Sequence, residues 1–171
     1  MTGKSIEFDN MDAEGRLVLA DALYYASTEF KMHTVIDVAT LTGAMEVALG
    51  DIYTGVFTTS NAHALWDRLS YDHFWRMPID EDYSTQIYLS NADLCNTSGK
   101  PTGSCTTALF LNVFVDSIED KDEQEPSVRR AHLDIAATME FTRSTPYQEK
   151  GMTGRRVHAL AEFFKRLSSQ E

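Results

Sequence analysis

Apolar residues along the chain fall into short runs that switch between strand-like alternation and helical spacing. Residues 5–9, SIEFD, alternate apolar and polar and predict a short strand. Residues 17–26 are rich in Ala and Leu with almost no polar face, which predicts a helix buried on several sides. HTVIDVATLTG, residues 33–43, is β-branched and bounded by Gly43, the pattern of a buried parallel strand running into a loop. TGVFTTS, residues 54–60, predicts a second such strand, with AMEVALG a short helical turn between them. Segment 62–74, AHALWDRLSYDHF, has helical spacing, with Leu65, Leu69 and His73 on one side, and RMPIDEDY breaks it at Pro78. A polar, loop-like stretch then runs to Gly103.

The run SCTTALFLNVFVDSI predicts a buried helix that begins in small residues. AHLDIAAT, residues 131–138, is the third strand candidate. From Gly154 the chain predicts an amphipathic helix with Val157, Leu160, Ala161, Phe164 and Leu167 at spacings of three and four. Strands alternating with helices imply an α/β fold of three layers, a mostly parallel central sheet flanked by helices. No internal repeat or linker divides the chain.

Composition narrows the classes. With 171 residues, 43% hydrophobic and 11% aromatic, the chain can bury one sizeable core. It holds no apolar run of membrane-spanning length, and MTGKSIEFDN lacks the apolar core of a signal peptide, so a cytoplasmic protein with no membrane partner is expected. Cys95 and Cys105 match neither a redox motif nor a zinc knuckle and are expected to be reduced and structural. A formal charge of −11 argues against nucleic acid as partner, because phosphate-backbone binding rests on clustered Lys and Arg. Part of that charge is local: residues 116–126 carry six acids against one lysine, the composition of a solvated loop.

The chemistry centres on NMDAEGRLVLADAL, residues 10–23. If the motif is extended, Asp12, Glu14 and Arg16 project to one side at a strand end, where α/β sheets place their ligand crevices. Two carboxylates there suit a divalent metal, and the guanidinium suits an anion. The competing reading makes the acids helix caps and pairs Arg16 with Glu7 or Asp9. Spacing alone leaves both open. The five histidines show no zinc-ligand spacing, and His132 beside Asp134 reads as a satisfied core or interface histidine.

The wider sequence resembles a known family. NMDAEGRLVLADALYYAS is similar to the NTDAEGRLxLADAL signature of the leucine aminopeptidases, the cytosol aminopeptidase family of two-metal exopeptidases. The likeness continues in family order through VATLTGAMEVALG, TGVFTTS, WRMPI, GSCTTALFL, AHLDIAATM and KGMTGRRVHALAEFF. This resemblance implies that Asp12 ligates one metal, that Glu14 bridges both, and that Arg16 is the catalytic arginine holding a bicarbonate that serves as general base. It implies that Leu41 and Gly43 hold the peptide through the backbone, and that Thr40, Gly43, Ala136 and Met139 line a pocket for a leucine-like N-terminal side chain. The cofactors implied are two divalent ions, Zn2+ or Mn2+, the substrates are peptides, and the assembly is a homo-hexamer.

The family's remaining ligands, a lysine and two aspartates, and a second catalytic lysine precede the DAEGR motif, whereas eleven residues precede Asp12 here. Residues 1–171 are therefore expected to be the C-terminal half of a catalytic domain, without the N-terminal domain and the upstream metal-binding segment, and inactive alone. The alternative is a non-catalytic structural or interaction protein that keeps the fold. Met11 in place of the usual threonine, a shortened stretch before WRMPI and the acidic 116–126 segment are further departures from the family pattern.

Overall fold

The structure is a computed structural model that describes residues 2–30, 32–59, 73–88, 91–97, 99–116, 118, 128–152 and 154–168. In chain order the elements are β1 (Ile6–Glu7), α1 (Gly15–Phe30), β2 (Thr34–Ala39), α2 (Gly43–Leu49), β3 (Thr54–Thr58), β4 (Phe74–Arg76), β5 (Leu94–Cys95), α3 (Gly103–Asn112), β6 (Arg129–Asp134), β7 (Glu140–Phe141), β8 (Gly151–Met152) and α4 (Val157–Ser168). Short 3-10 helices occupy Met11–Ala13 and Glu81–Gln86.

Four strands form the central sheet in the order β2-β6-β3-β4. The β2–β6 and β3–β4 pairs are parallel, and β6–β3 is antiparallel. Separately, β1 and β5 form a parallel pair, and β7 with β8 makes a small hairpin. The expected α/β layering with mostly parallel strands is therefore what the chain adopts.

Alternation along the strands sorts side chains to the two faces. Val56, Ala131, Leu133 and half-buried Ile36 pack on one face with Phe74, Phe163, Ala159 and Leu160, placing α4 there. On the other face Phe57 meets Met45 of α2 and Cys105 and Ala108 of α3, while Val35 joins Leu23 of α1 and Leu109 to Leu111 of α3. Close approach needs small residues: a Cβ at Gly103 would lie 3.3 Å from Ala44 Cβ, and one at Gly55 only 2.5 Å from Met45 Cε.

That second face also carries charge. Arg130, His132 and Asp134 of β6 point into it, each at most 1% exposed, with Asp37 of β2 beside them. Buried charges persist only when paired and hydrogen-bonded. Arg130 Nη2 donates to Asp37 Oδ2 at 3.0 Å, and its Nη1 reaches the carbonyl of Ala108 at 3.1 Å and Oδ1 of Asn112. Asp37 Oδ1 also pairs with His132 Nδ1, and the His132 ring stacks on Phe57. Burial alone would push the Asp37 carboxyl up, but the hydrogen bond from His132 and the charge of Arg130 outweigh it and hold the group below its ordinary value. His132 is a core histidine, as one expected reading had it, but satisfied only at Nδ1: its buried Nε2 has no hydrogen-bond partner among the described residues.

Three expectations are corrected. Residues 74–76 form a strand, because Phe74 is drawn into the core beside β3. The helical spacing read over 62–72 lies outside the described residues, as does most of the acidic segment 116–126. The polar stretch before Gly103 contains the 3-10 helix 81–86 and buried β5, whose two residues are too short to register as a period. In α4 the buried residue is Phe163, packed with Leu160 and Ala159, whereas Val157 and Phe164 are 63% and 49% exposed. The helix offers two overlapping apolar stripes, and fit against Val56 and Leu133 selects one. The two cysteines are buried and free, as expected.

Replacing Asp37 with Ala strands Arg130 in the core and is expected to cost about 3–5 kcal/mol, read as an earlier urea midpoint. The Asp37 carboxyl titrates lower folded than unfolded, where its value is about 3.9. Its stabilisation is thus complete above that pH and lost as pH falls through the folded value. The native chain should weaken in acid below about pH 4, and Asp37→Ala should weaken less over the same interval.

Candidate active site

The NMDAEGR stretch is not extended. Asn10 adopts an extended backbone and its side chain accepts from Asp12 N at 2.9 Å, capping a 3-10 turn over Met11–Ala13. Glu14 follows as the C-cap, its carbonyl accepts from Leu17 N, and α1 starts at Gly15. The same-side projection expected of a strand therefore does not apply: a turn and the first turn of a helix present the three side chains.

Neither do the acids cap. Asn10 does that work, and among the described residues the carboxylates of Asp12 and Glu14 make no hydrogen bond or ion pair; both residues are exposed. Arg16 forms no ion pair with Glu7 or Asp9. Its guanidinium is largely buried and its Nε has no hydrogen-bond partner among the described residues. Burial draws Arg16 below its ordinary value, while Asp134 and Cys95 act in the opposite sense. The side chain stays cationic regardless, so this stretch offers two free anionic donors and a desolvated cation.

Two buried polar residues that sequence reasoning passed over hold the turn and its surroundings. Asn96, fully buried just after β5, accepts from Asp9 N at 3.0 Å and Asn10 N at 3.2 Å and donates from Nδ2 to Asn10 O at 2.6 Å. The β1–β5 pairing brings it there. Asp134 ends β6 and binds the loop after β2, accepting from Leu41 N at 3.2 Å and from Thr42 Oγ1 at 2.6 Å. Asn96 sits in no motif, Asp134 lies in AHLDIAATM without a role read for it, and their partners 86 to 93 positions away leave no local signal.

The two loops meet. A Cβ at Gly15 would lie 3.5 Å from Leu41 Cδ1, so the DAEGR turn packs against the TLTG loop. Leu41 is half-buried, Thr40 and Gly43 are exposed, and Ala136 is half-buried with Met139 42% exposed. All follow the C-terminal ends of parallel β2 and β6, whose register pairs Ala39 with Asp134 and continues in Ile135 N donating to Ala39 O at 2.9 Å. Two cavities of about 360 and 430 Å3 lie elsewhere and include none of these residues.

The donor set can be tested against a metal centre. Carboxylate oxygens suit a hard or borderline divalent ion, but such an ion takes at least four donors. Among the described residues no group of three or more His, Cys, Asp or Glu comes together to hold one. Asp12 and Glu14 thus fit as part of a centre and do not enclose it.

The α/β sheet, with the DAEGR turn packed at the C-terminal ends of parallel β2 and β6, places these groups at the end where open sheets of this class bind ligands. The chain belongs to the cytosol aminopeptidase family: its catalytic-domain model matches residues 1–161. The cytosol aminopeptidase of Dictyostelium discoideum is 44% identical over an alignment covering 96% of this chain and 31% of that protein. The Homo sapiens cytosol aminopeptidase is 45% identical, covering 97% and 31%. A solved tomato leucine aminopeptidase mutant superposes with a TM-score of 0.80 at 38% identity, over 96% of this chain and 30% of that one. The chain spans about 30% of the length of these relatives. No described helix is long and apolar enough to cross a membrane.

Replacing Asn96 with Ala removes the acceptor of the part-buried Asp9 and Asn10 N–H groups, while Asn10 O keeps Ala13 N. It should cost about 1–3 kcal/mol and speed amide exchange at Asp9 and Asn10, measured by NMR.

Proposed function

We propose that residues 1–171 are the C-terminal part of the catalytic domain of a metal-dependent aminopeptidase that removes leucine-like N-terminal residues from peptides. The observation that carries this is the packing of the DAEGR turn on the TLTG loop, which sets two free carboxylates and a desolvated arginine beside a backbone wall in a member of this family. Asp12 and Glu14 would be carboxylate ligands, Glu14 the shared one, to two divalent ions, zinc or manganese, whose other donors come from outside these residues. When bound, such ions lower the pKa of a shared water and polarise the scissile carbonyl. Arg16 would hold an anion, bicarbonate in this reading, as the proton acceptor beside that water. Its partial desolvation supports the assignment, because a half-buried cation with no ion pair among the described residues favours a small anion.

Leu41 and Gly43 would orient the peptide backbone, and Thr40, Ala136 and Met139 would meet the N-terminal side chain. The exposed, largely apolar character of that wall supports a leucine-like preference. The relatives' names support a cytosolic setting, and a homo-hexamer is the assembly this reading carries. A non-catalytic protein that keeps the fold is the second reading, favoured by the lack of a complete ligand group among the described residues.

Hydrolysis of a leucine amide and metal content, measured on the longest natural product that carries this sequence, separate the two. Mutating even the groups behind metal ligands costs about 10–100-fold, so Glu14→Gln should lower kcat/KM by about a hundredfold or more and reduce bound metal. Equal activity in that variant removes Glu14 from the site, and a product with neither metal nor activity establishes the non-catalytic reading. The 171-residue chain alone should not turn over; activity there would mean that the donor set is complete within it.

A further inference from the structure

Asp134 does more than end a strand. It is fully buried, at the C-terminal end of β6, with Ala39 of β2 on one side and Gly55 of β3 on the other. Its Oδ1 accepts from Leu41 N at 3.2 Å, Thr42 N at 3.5 Å and Ala136 N at 3.1 Å, and its Oδ2 from Thr42 Oγ1 at 2.6 Å. Three donors converge on Oδ1 and one on Oδ2, so the carboxylate is engaged through both oxygens by the two segments. Thr42 is held so closely that its hydroxyl caps nothing on α2, although Thr42 stands at the N-cap position.

The donors come from two segments that are far apart in sequence. Leu41 and Thr42 belong to the loop after β2, and Ala136 to the loop after β6. These segments form the two sides of the wall assigned above to the substrate. Beyond the backbone bond from Ile135 N to Ala39 O, this carboxylate is the side chain that ties the two segments together beneath the exposed rim of Thr40, Gly43 and Met139.

We propose that Asp134 is a positioning residue that sets the width of the substrate site by clamping the 41–42 loop to Ala136. The assignment of a substrate site rests on the aminopeptidase reading; the clamp itself does not. Asn at this position keeps an oxygen for the three amides and an N–H that Thr42 Oγ1 can accept, so it preserves the clamp. Ala removes it.

The test measures leucine amide hydrolysis and amide hydrogen exchange on the longest natural product carrying the sequence, wild type against Asp134→Ala, Asp134→Asn and Thr42→Val. A loss of substrate positioning should raise KM in Asp134→Ala by about tenfold with kcat changed by less than about threefold. Exchange at Leu41, Thr42 and Ala136 should accelerate by at least about tenfold. Asp134→Asn should restore KM and exchange to within about twofold of wild type, a rescue that general destabilisation would not give. If Asp134→Ala fails to fold, Thr42→Val carries the test, because it removes only the 2.6 Å bond, and a KM rise of about threefold is expected. Unchanged KM and exchange in Asp134→Ala, or in Thr42→Val if the former does not fold, overturn the proposal; so does an Asn variant as impaired as Ala. A wild type with no hydrolysis refutes the aminopeptidase reading instead, and amide exchange then decides the clamp.

Discussion

The requirement that every charge on the buried face of the β2–β6 pair find its partner organises much of this molecule. Asp37 faces His132 across the parallel register, Arg130 enters from the same face, and α3 closes over them with the Ala108 carbonyl and the Asn112 side chain. A sheet face built from Val and Leu alone would tolerate sliding of α3 by a turn. A guanidinium that must meet Asp37 and Asn112 together does not, since a misplaced buried cation costs several kcal/mol. The same row continues to Asp134, where the satisfied groups are no longer helix atoms but the backbone of the TLTG loop. Core and candidate site are thus consecutive positions on one strand.

The candidate site is assembled by side chains that act on backbone. Asn96 fixes the entry to the DAEGR turn, Asn10 caps it, and Asp134 fixes the loop against which the turn packs. Among the described residues Asp12 and Glu14 have no partner, and their exposure distinguishes them from the buried acids that stabilise the fold. Arg16 is the reverse case, half-buried with no ion pair among the described residues.

A chain spanning about 30% of its relatives' length still forms a four-stranded sheet with helices on both faces and brings the DAEGR turn and the TLTG loop together at one end of it. Loops at one sheet end need not be close in sequence, because strand pairing sets their neighbours.

Much of this was legible before the fold was known. The β-branched runs at 34–39 and 54–58, the small-residue start of α3 and the DAEGR and TLTG motifs carry their signals locally, because helix and strand periods extend over adjacent residues. The same locality misled in two places: alternate spacing made the DAEGR motif look extended, and two apolar stripes on α4 left its buried face undecided until Phe163 met the sheet. The roles of Asn96 and Asp134 were not legible, because the partners that define them lie 86 to 93 positions away. Sequence by itself determined most of the elements, the family and which motifs carry candidate chemistry, since these rest on neighbouring residues. Only the tertiary structure decided which polar residues hold that chemistry in place, because burial and long-range hydrogen bonds exist only once the strands are paired.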